Sequence, residues 1–247
     1  MMLYSKKSMK LDVLAIAAHP DDVELSCSAT VATLVQQNRK VGILDLTEGE
    51  RGTRGTKALR REEALTSSKI LGVHVRENLR LPDGNIEINQ TNIKKIIQVI
   101  RHYQPMILLF PHWLERHPDH EHAHRLCREA WFYSGLKKYP TTYKGKTQDS
   151  FRPKKYFHFM QKYEFHPSFI VDVSDVYEKK KESLMAFRSQ FYDPKSKERE
   201  TMLSSKLFLE SIYARDRHFG SVINVEYGEP FYSIEPLGVG SFFSLLI

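Results

Sequence analysis

Apolar residues in the first half of the chain alternate between two rhythms. Residues 11–17, Leu-Asp-Val-Leu-Ala-Ile-Ala, form an almost unbroken apolar run, the pattern of a strand buried on both faces of a parallel sheet. Over residues 23–37 the spacing lengthens, with Val23, Cys27, Val31, Leu34 and Val35 on one helical stripe. A second strand is predicted at 41–46, then a glycine-punctuated loop from Glu48 to Thr56 and a helix over 57–71. A short strand near 75–79 leads into the turn Pro82-Asp83-Gly84-Asn85. A helix over 91–103 stops at Pro105, a strand follows at 106–110, and another helix covers 119–133.

This alternation predicts an α/β fold, a Rossmann-like, mostly parallel sheet with helices on both faces and right-handed crossovers. The second half is less regular: a polar loop at 139–151, strands at 155–160 and 168–173, and helices at 176–191 and 199–219. After Pro230 the pattern reads as a strand and a loop that cover the core or a partner subunit. A chain of 247 residues can bury one substantial core, so a single domain over 1–247 is expected.

Charge narrows the partners. The net charge of +7 is spread from Lys6 to Arg217, often beside Asp or Glu, with Lys179-Lys180-Lys181 the longest run. That distribution reads as solvated surface, not a nucleic-acid footprint. The two cysteines, Cys27 and Cys127, exclude a disulfide scaffold and suit a reducing cytoplasm; each reads as a small buried hydrophobe in a helix. Lys6, Lys7 and Lys10 ahead of Ala15-Ile16-Ala17 imitate a signal peptide, but Asp12 interrupts the apolar run. No stretch approaches the ~18–20 apolar residues of a membrane span, so no membrane partner is expected.

The chemistry lies just past two strands. The first runs into His19-Pro20-Asp21-Asp22, and the strand at 106–110 leads to His117-Pro118-Asp119-His120. Parallel sheets bind ligands beyond the carboxyl ends of their strands, where strand order reverses, so both motifs belong on one edge. His19 and Asp22, three apart on a strand-to-helix turn, can face one point, and His120 would complete three ligands for a catalytic metal. Such a centre acidifies water and polarises a carbonyl. Asp21 is free to act as general base. His117 could stabilise an oxyanion or protonate a departing nitrogen, with Asp119 fixing its tautomer and raising its pKa.

Other readings of the same residues exist. His120-Glu121-His122-Ala123-His124 fits the H-E-x-x-H metalloprotease pattern with Glu121 as base, in which case the first motif goes unused. Set against it, His122 and His124 read as surface residues or neighbours of the ligands. Each motif alone could be a turn whose Asp caps the next helix. A non-catalytic sugar- or nucleotide-binding module would need no Asp21 beside a ligand.

At Ala18-His19-Pro20-Asp21-Asp22-Val23-Glu24, Thr47 to Thr56 and Arg116-His117-Pro118-Asp119-His120 the chain resembles the PIG-L/LmbE-like family of metal-dependent N-acetylglucosamine deacetylases. Asp45-Leu46-Thr47-Glu48, Gly55-Thr56 with Arg60, Leu81-Pro82-Asp83-Gly84 and Ser189-Gln190-Phe191 resemble the bacillithiol branch, which deacetylates N-acetylglucosaminyl-malate. The resemblance implies Zn²⁺ (or Fe²⁺) on His19, Asp22 and His120, Asp21 as base, and His117 with Asp119 as the electrostatic and acid pair. It also implies a small anionic sugar conjugate as substrate, Arg60 near it, and a homo-oligomer. Arg60 could otherwise pair with Glu62 or Glu63 on its helix surface. Arg54 and Arg116 are candidate partners for malate, because guanidinium pairs bidentately with carboxylate, or they face solvent. One departure is Ser26-Cys27-Ser28-Ala29, where the family commonly has glycines; small residues there should preserve close helix–sheet packing.

Overall fold

A computed structural model describes residues 9–245; Lys6, Lys7 and the outermost ends of the expected domain lie outside the described residues. The first half runs β1 (Val13–Ala17), α1 (Asp22–Gln36), β2 (Val41–Thr47), α2 (Lys57–Leu71), β3 (Val75–Leu81), α3 (Gln90–Tyr103), β4 (Ile107–Pro111) and α4 (Pro118–Ser134). A small hairpin, β5 (Thr142–Tyr143) and β6 (Lys146–Thr147), precedes β7 (Lys155–Phe159), β8 (Phe169–Asp172), α5 (Tyr177–Met185), α6 (Lys206–Val222) and β9 (Gly228–Tyr232). Among the described residues, a seven-stranded sheet has the order β3-β2-β1-β4-β7-β9-β8. All its pairings are parallel except those of β9, which runs antiparallel to β7 and β8.

Strand order reverses between β1 and β4, and these are the strands that carry the two motifs. Side chains alternate across β1 with period two. Leu14 and Ile16 pack against α3 and α4 through Ile93, Ile97, Ile100 and Leu126, whereas Val13, Ala15 and Ala17 face Val23, Cys27 and Val31 of α1. Helices therefore cover both faces, as the apolar run of β1 requires. Among the described residues no helix is long and apolar enough to cross a membrane.

The second half departs from expectation because side chains far away in sequence stop its helices. The amide and hydroxyl of Ser189 both donate to the Glu63 carboxylate at 2.8 and 2.6 Å, drawing 186–191 into turns against α2. Helix α6 begins at Lys206, not near 199, because Thr201 and Ser204 bond to each other in a turn and Ser205 caps the helix through the Phe208 amide. The loop at 139–151 contains the β5–β6 hairpin. Beyond β9 the tail does not cover the core: Ile234, Val239, Phe242 and Phe243 are exposed.

Lys180 also departs from the solvated-surface reading of its basic run, because it is fully buried. Its ammonium lies 2.6 Å from Glu229 Oε1 and 2.7 Å from Asp216 Oδ2. The Glu229 carboxylate accepts the amides of Ala29 and Thr30 at 3.1 and 2.6 Å, just past Cys27, where α1 breaks from helical geometry. The side chains of Cys27 and Ser28 are buried at this break, and their small size allows β9 to approach. Removing one partner from a buried ion network leaves an uncompensated charge. Lys180→Met should therefore lose ~3–5 kcal/mol in urea denaturation; an unchanged midpoint and slope would contradict this account of the network.

Candidate active site

The chain leaves β1 through Ala18-His19-Pro20 and turns sharply into α1. Asp22 Oδ2 accepts the His19 amide at 2.8 Å, closing the turn. Asp21 occupies the N-cap position yet makes no side-chain cap hydrogen bond. Its φ of 118° lies where non-glycine residues are strained, a condition that persists only where the surroundings enforce it and that concentrates at functional sites. Helix capping thus does not account for this Asp. Its carboxylate instead lies 3.7 Å from Arg60 Nη1.

Arg60 is buried and does not form the surface pair with Glu62 or Glu63; Glu63 is taken by Ser189. The guanidinium fits only because the loop after β2 has no side chains beside it. A Cβ on Gly49, itself at φ 64°, would lie 2.3 Å from Arg60 Nη1, and one on Gly52 would lie 2.8 Å from Nη2.

The second motif enters from β4. His117 caps α4 with Nδ1 accepting the Asp119 amide at 3.1 Å, which places His120 on the first turn, facing α1. His120 Nε2 is 3.2 Å from Asp22 Oδ1, and His19 Nδ1 is 3.4 Å from Asp22 Oδ2. Donor atoms of His19, Asp22 and His120 lie within 4.8 Å of one another, and so do those of His19, His117 and Asp119. Two imidazoles and a carboxylate are a donor set that suits Zn²⁺ or Fe²⁺. His120 turns Nε2 to this set, while its Nδ1 is buried without a hydrogen-bond partner among the described residues.

Asp119 does not orient His117 as expected. Its carboxylate accepts the amides of Gly84 and Ile86 at 2.7 and 3.3 Å and lies 3.4 Å from His19 Nε2. The start of α4 directs this carboxylate to the turn after β3, where it hydrogen-bonds backbone amides and not the His117 ring. The net direction for His117 is down, not up: burial lowers its pKa first, with the neighbouring His19 and His120 adding to it, and the opposing pull of Asp119 does not prevail. Asp83, which sequence reasoning left out of the site, is closer still to His19, with Oδ1 3.0 Å from Nε2. Its signal was the Pro82-Asp83-Gly84 turn, a third strand end on the same sheet edge.

These contacts set the electrostatics. Burial acts to lower the His19 pKa, but hydrogen bonds to Asp119, Asp22 and Asp83 outweigh it and hold the ring well above its ordinary value. Burial acts to raise Asp22, and the charge and hydrogen bond of His120 drive it well below the usual range. Asp21 is pushed up to about 7 by burial, against the pull of Arg60 and with the help of Asp22.

The other predicted residues divide. Arg54 is buried, its Nε 3.0 Å from Glu198 Oε2, so its guanidinium already has an acceptor. Arg116 is exposed at the cleft. The metalloprotease pattern does not assemble: His124 is buried with Nδ1 3.1 Å from Pro111 O, and Glu121 accepts the Glu115 amide. The whole site opens into a cleft of about 550 Å³.

A carboxylate on the outer nitrogen of a metal-binding imidazole fixes its tautomer and raises ligand basicity. Asp83→Asn keeps the shape but removes the charge facing His19, and should weaken Zn²⁺ binding ~10–100-fold in calorimetric titration. Wild-type affinity in that variant would contradict the assignment.

Comparison with known proteins bears on the family and the fold. Residues 14–131, which contain both motifs, match the family model described as PIG-L, GlcNAc-PI de-N-acetylase. Diacetylchitobiose deacetylase from Thermococcus kodakarensis is 35% identical over 191 residues, covering 72% of this chain and 70% of that protein. The crystal structure of a conserved protein from Thermus thermophilus has a TM-score of 0.84 at 34% identity, over 94% of this chain and 98% of that one. The fold is shared as well with N,N'-diacetylchitobiose deacetylase from Pyrococcus horikoshii, at a TM-score of 0.77 and 24% identity, over 95% and 88% of the two chains. The chain belongs to the PIG-L family of deacetylases.

Proposed function

We propose that the chain is a metal-dependent hydrolase that removes the acetyl group from an N-acetylglucosaminide. The observation that carries this reading is Asp21, a carboxylate held in strained backbone at the head of α1 beside three convergent metal donors. A binding module has no use for such a group there. The relatives named as deacetylases support the reading.

A divalent cation held by His19, Asp22 and His120, Zn²⁺ or Fe²⁺, would supply Lewis acidity toward the acetyl carbonyl and acidify water. Asp21, with its pKa near 7, takes a proton from the attacking water, whose oxygen bonds to the acetyl carbon. Arg60 keeps the Asp21 carboxylate directed and favours its ionised form. The C–N bond then breaks as the glucosamine nitrogen gains a proton, returned by Asp21 or given by His117, leaving acetate and a free amine. Asp83 and Asp119 hold the His19 ring throughout.

The finer reading is N-acetylglucosaminyl L-malate, the bacillithiol-pathway substrate. It is supported by Arg51, Arg116 and Lys162, which line the cleft and, among the described residues, form no ion pair with a carboxylate. These cations suit the two carboxylates of malate. A second reading, deacetylation of chitooligosaccharides, is favoured by the identity to the Thermococcus enzyme.

Asp21→Asn should cut turnover ~10²–10⁴-fold with metal content unchanged, while Glu121→Gln stays near wild type. Acetate release measured on both variants decides the base, and the opposite pattern would overturn the assignment. A chelator should abolish acetate release and added Zn²⁺ or Fe²⁺ restore it; release that survives chelation would sink the metal-dependent reading. On the substrate, kcat/KM for N-acetylglucosaminyl-malate should exceed that for diacetylchitobiose by at least tenfold. The reverse preference would establish the second reading.

A further inference from the structure

Leu25, Met202, Leu203, Phe208 and Ile212 line the same cleft as the metal donors, and the deacetylation chemistry uses none of them. An acetyl methyl group and a polar hexosamine ring leave such a surface uncovered. The cleft, about 550 Å³, falls in the ~300–1,000 Å³ range of sites for drug-sized ligands, room for more than one sugar ring.

The wall starts close to the chemistry. Leu25 is three residues after Asp22 on α1, so the two side chains lie on one helix face. It is also fixed. The Arg215 guanidinium donates to Leu25 O at 2.8 Å and to Gln161 O at 2.8 Å, locking α1 to the segment after β7 behind the wall. The Thr201–Ser204 turn and the Ser205 cap hold Met202, Leu203 and Phe208 in place. Leu203 and Phe208 each give one side to the core cluster of Leu25, Phe187, Phe191 and Ile212, and are only partly covered by it. Met202 is 40% exposed. Lys162 Nζ stands 5.9 Å from the Phe208 ring, which puts a cation at the rim of the apolar surface.

We propose that these five residues form a second subsite, which takes an alkyl or aryl group carried by the substrate. The inference rests on the deacetylase reading for its reaction, but the subsite itself is a binding surface. The apolar group has two possible sources, a longer N-acyl chain or an apolar aglycone. Because the surface is preformed, its occupant gains burial without ordering the protein.

The test uses the full chain loaded with Zn²⁺ and two substrate series. One varies the acyl group of methyl N-acyl-glucosaminides from acetyl to butyryl to hexanoyl. The other varies the aglycone of N-acetylglucosaminides from methyl to hexyl to phenyl. In one series kcat/KM should rise, by up to ~4-fold per buried methylene, and the series that rises identifies the source. Met202→Asp, at an exposed position, and Phe208→Ala should each collapse the long-to-short ratio toward one. A residue that only edges the core would change stability and leave that ratio alone. Cleavage throughout both series with flat kcat/KM overturns the subsite and leaves the deacetylase reading standing. If no member is cleaved, and neither N-acetylglucosaminyl-malate nor diacetylchitobiose is, the deacetylase reading fails. Calorimetry then decides the subsite alone: either hexyl 2-amino-2-deoxyglucoside must bind at least tenfold tighter than the methyl glycoside, or methyl N-hexanoyl-glucosaminide at least tenfold tighter than methyl N-acetyl-glucosaminide, and equal affinities in both pairs overturn it.

Discussion

One imidazole ring joins three of the segments that leave the carboxyl edge of this sheet. His19 faces Asp22 through Nδ1, and Asp83 and Asp119 through Nε2. The carboxylates come from the turn after β1, the turn after β3 and the start of α4, so a single ring fixes the relative positions of three loops. Asp83 and Asp119 are themselves tied to backbone amides of Arg51, Gly84 and Ile86. Sheet topology makes this possible: β1 and β4 are neighbours at the reversal of strand order, and β2 and β3 lie on the far side of β1. Move any of these strands and the donors of His19, Asp22 and His120 no longer share one space.

The second half of the chain fixes the middle of the helix that follows His19, α1. Glu229 binds the amides at the break in α1, and Lys180 neutralises it within a buried network that includes Asp216. Arg215 reaches from α6 to the Leu25 carbonyl, one turn beyond Asp22. Asp21 and Asp22 thus sit at the head of a helix held at its start by a tight turn and farther along by charged side chains that hydrogen-bond its backbone. That rigidity is what allows Asp21 to remain in a strained backbone conformation.

How much of this was legible depended on the range of the interactions. β1, β4 and their helices follow from local apolar period, and α2 appears over 57–71 as expected. The two metal motifs were visible because strand ends of a parallel sheet converge. Arg60 was visible as a candidate, but its route to Asp21 past Gly49 and Gly52 required the folded loop. Asp119 lies near His117 as the spacing implies, but the helix start gives its carboxylate further partners, the amides of 84 and 86 and the His19 ring, that the spacing could not show. The helices of the second half were misjudged where contacts over a hundred residues apart, such as Glu63 with Ser189, end them. Lys180, hidden inside a run of three lysines, gave no local sign of burial.

The claim on which the rest turns is that His19, Asp22 and His120 hold one divalent cation beside Asp21. His19, His117 and Asp119 form an overlapping set of donors, so the position of the ion is the sharpest discriminator. Anomalous diffraction at the zinc absorption edge, from crystals of the Zn²⁺-loaded protein, measures it directly. The account predicts one strong peak within coordination distance of His19, Asp22 and His120, with the Asp21 carboxylate outside the coordination shell. A peak on His117 and Asp119, or one ligated by Asp21, would contradict it.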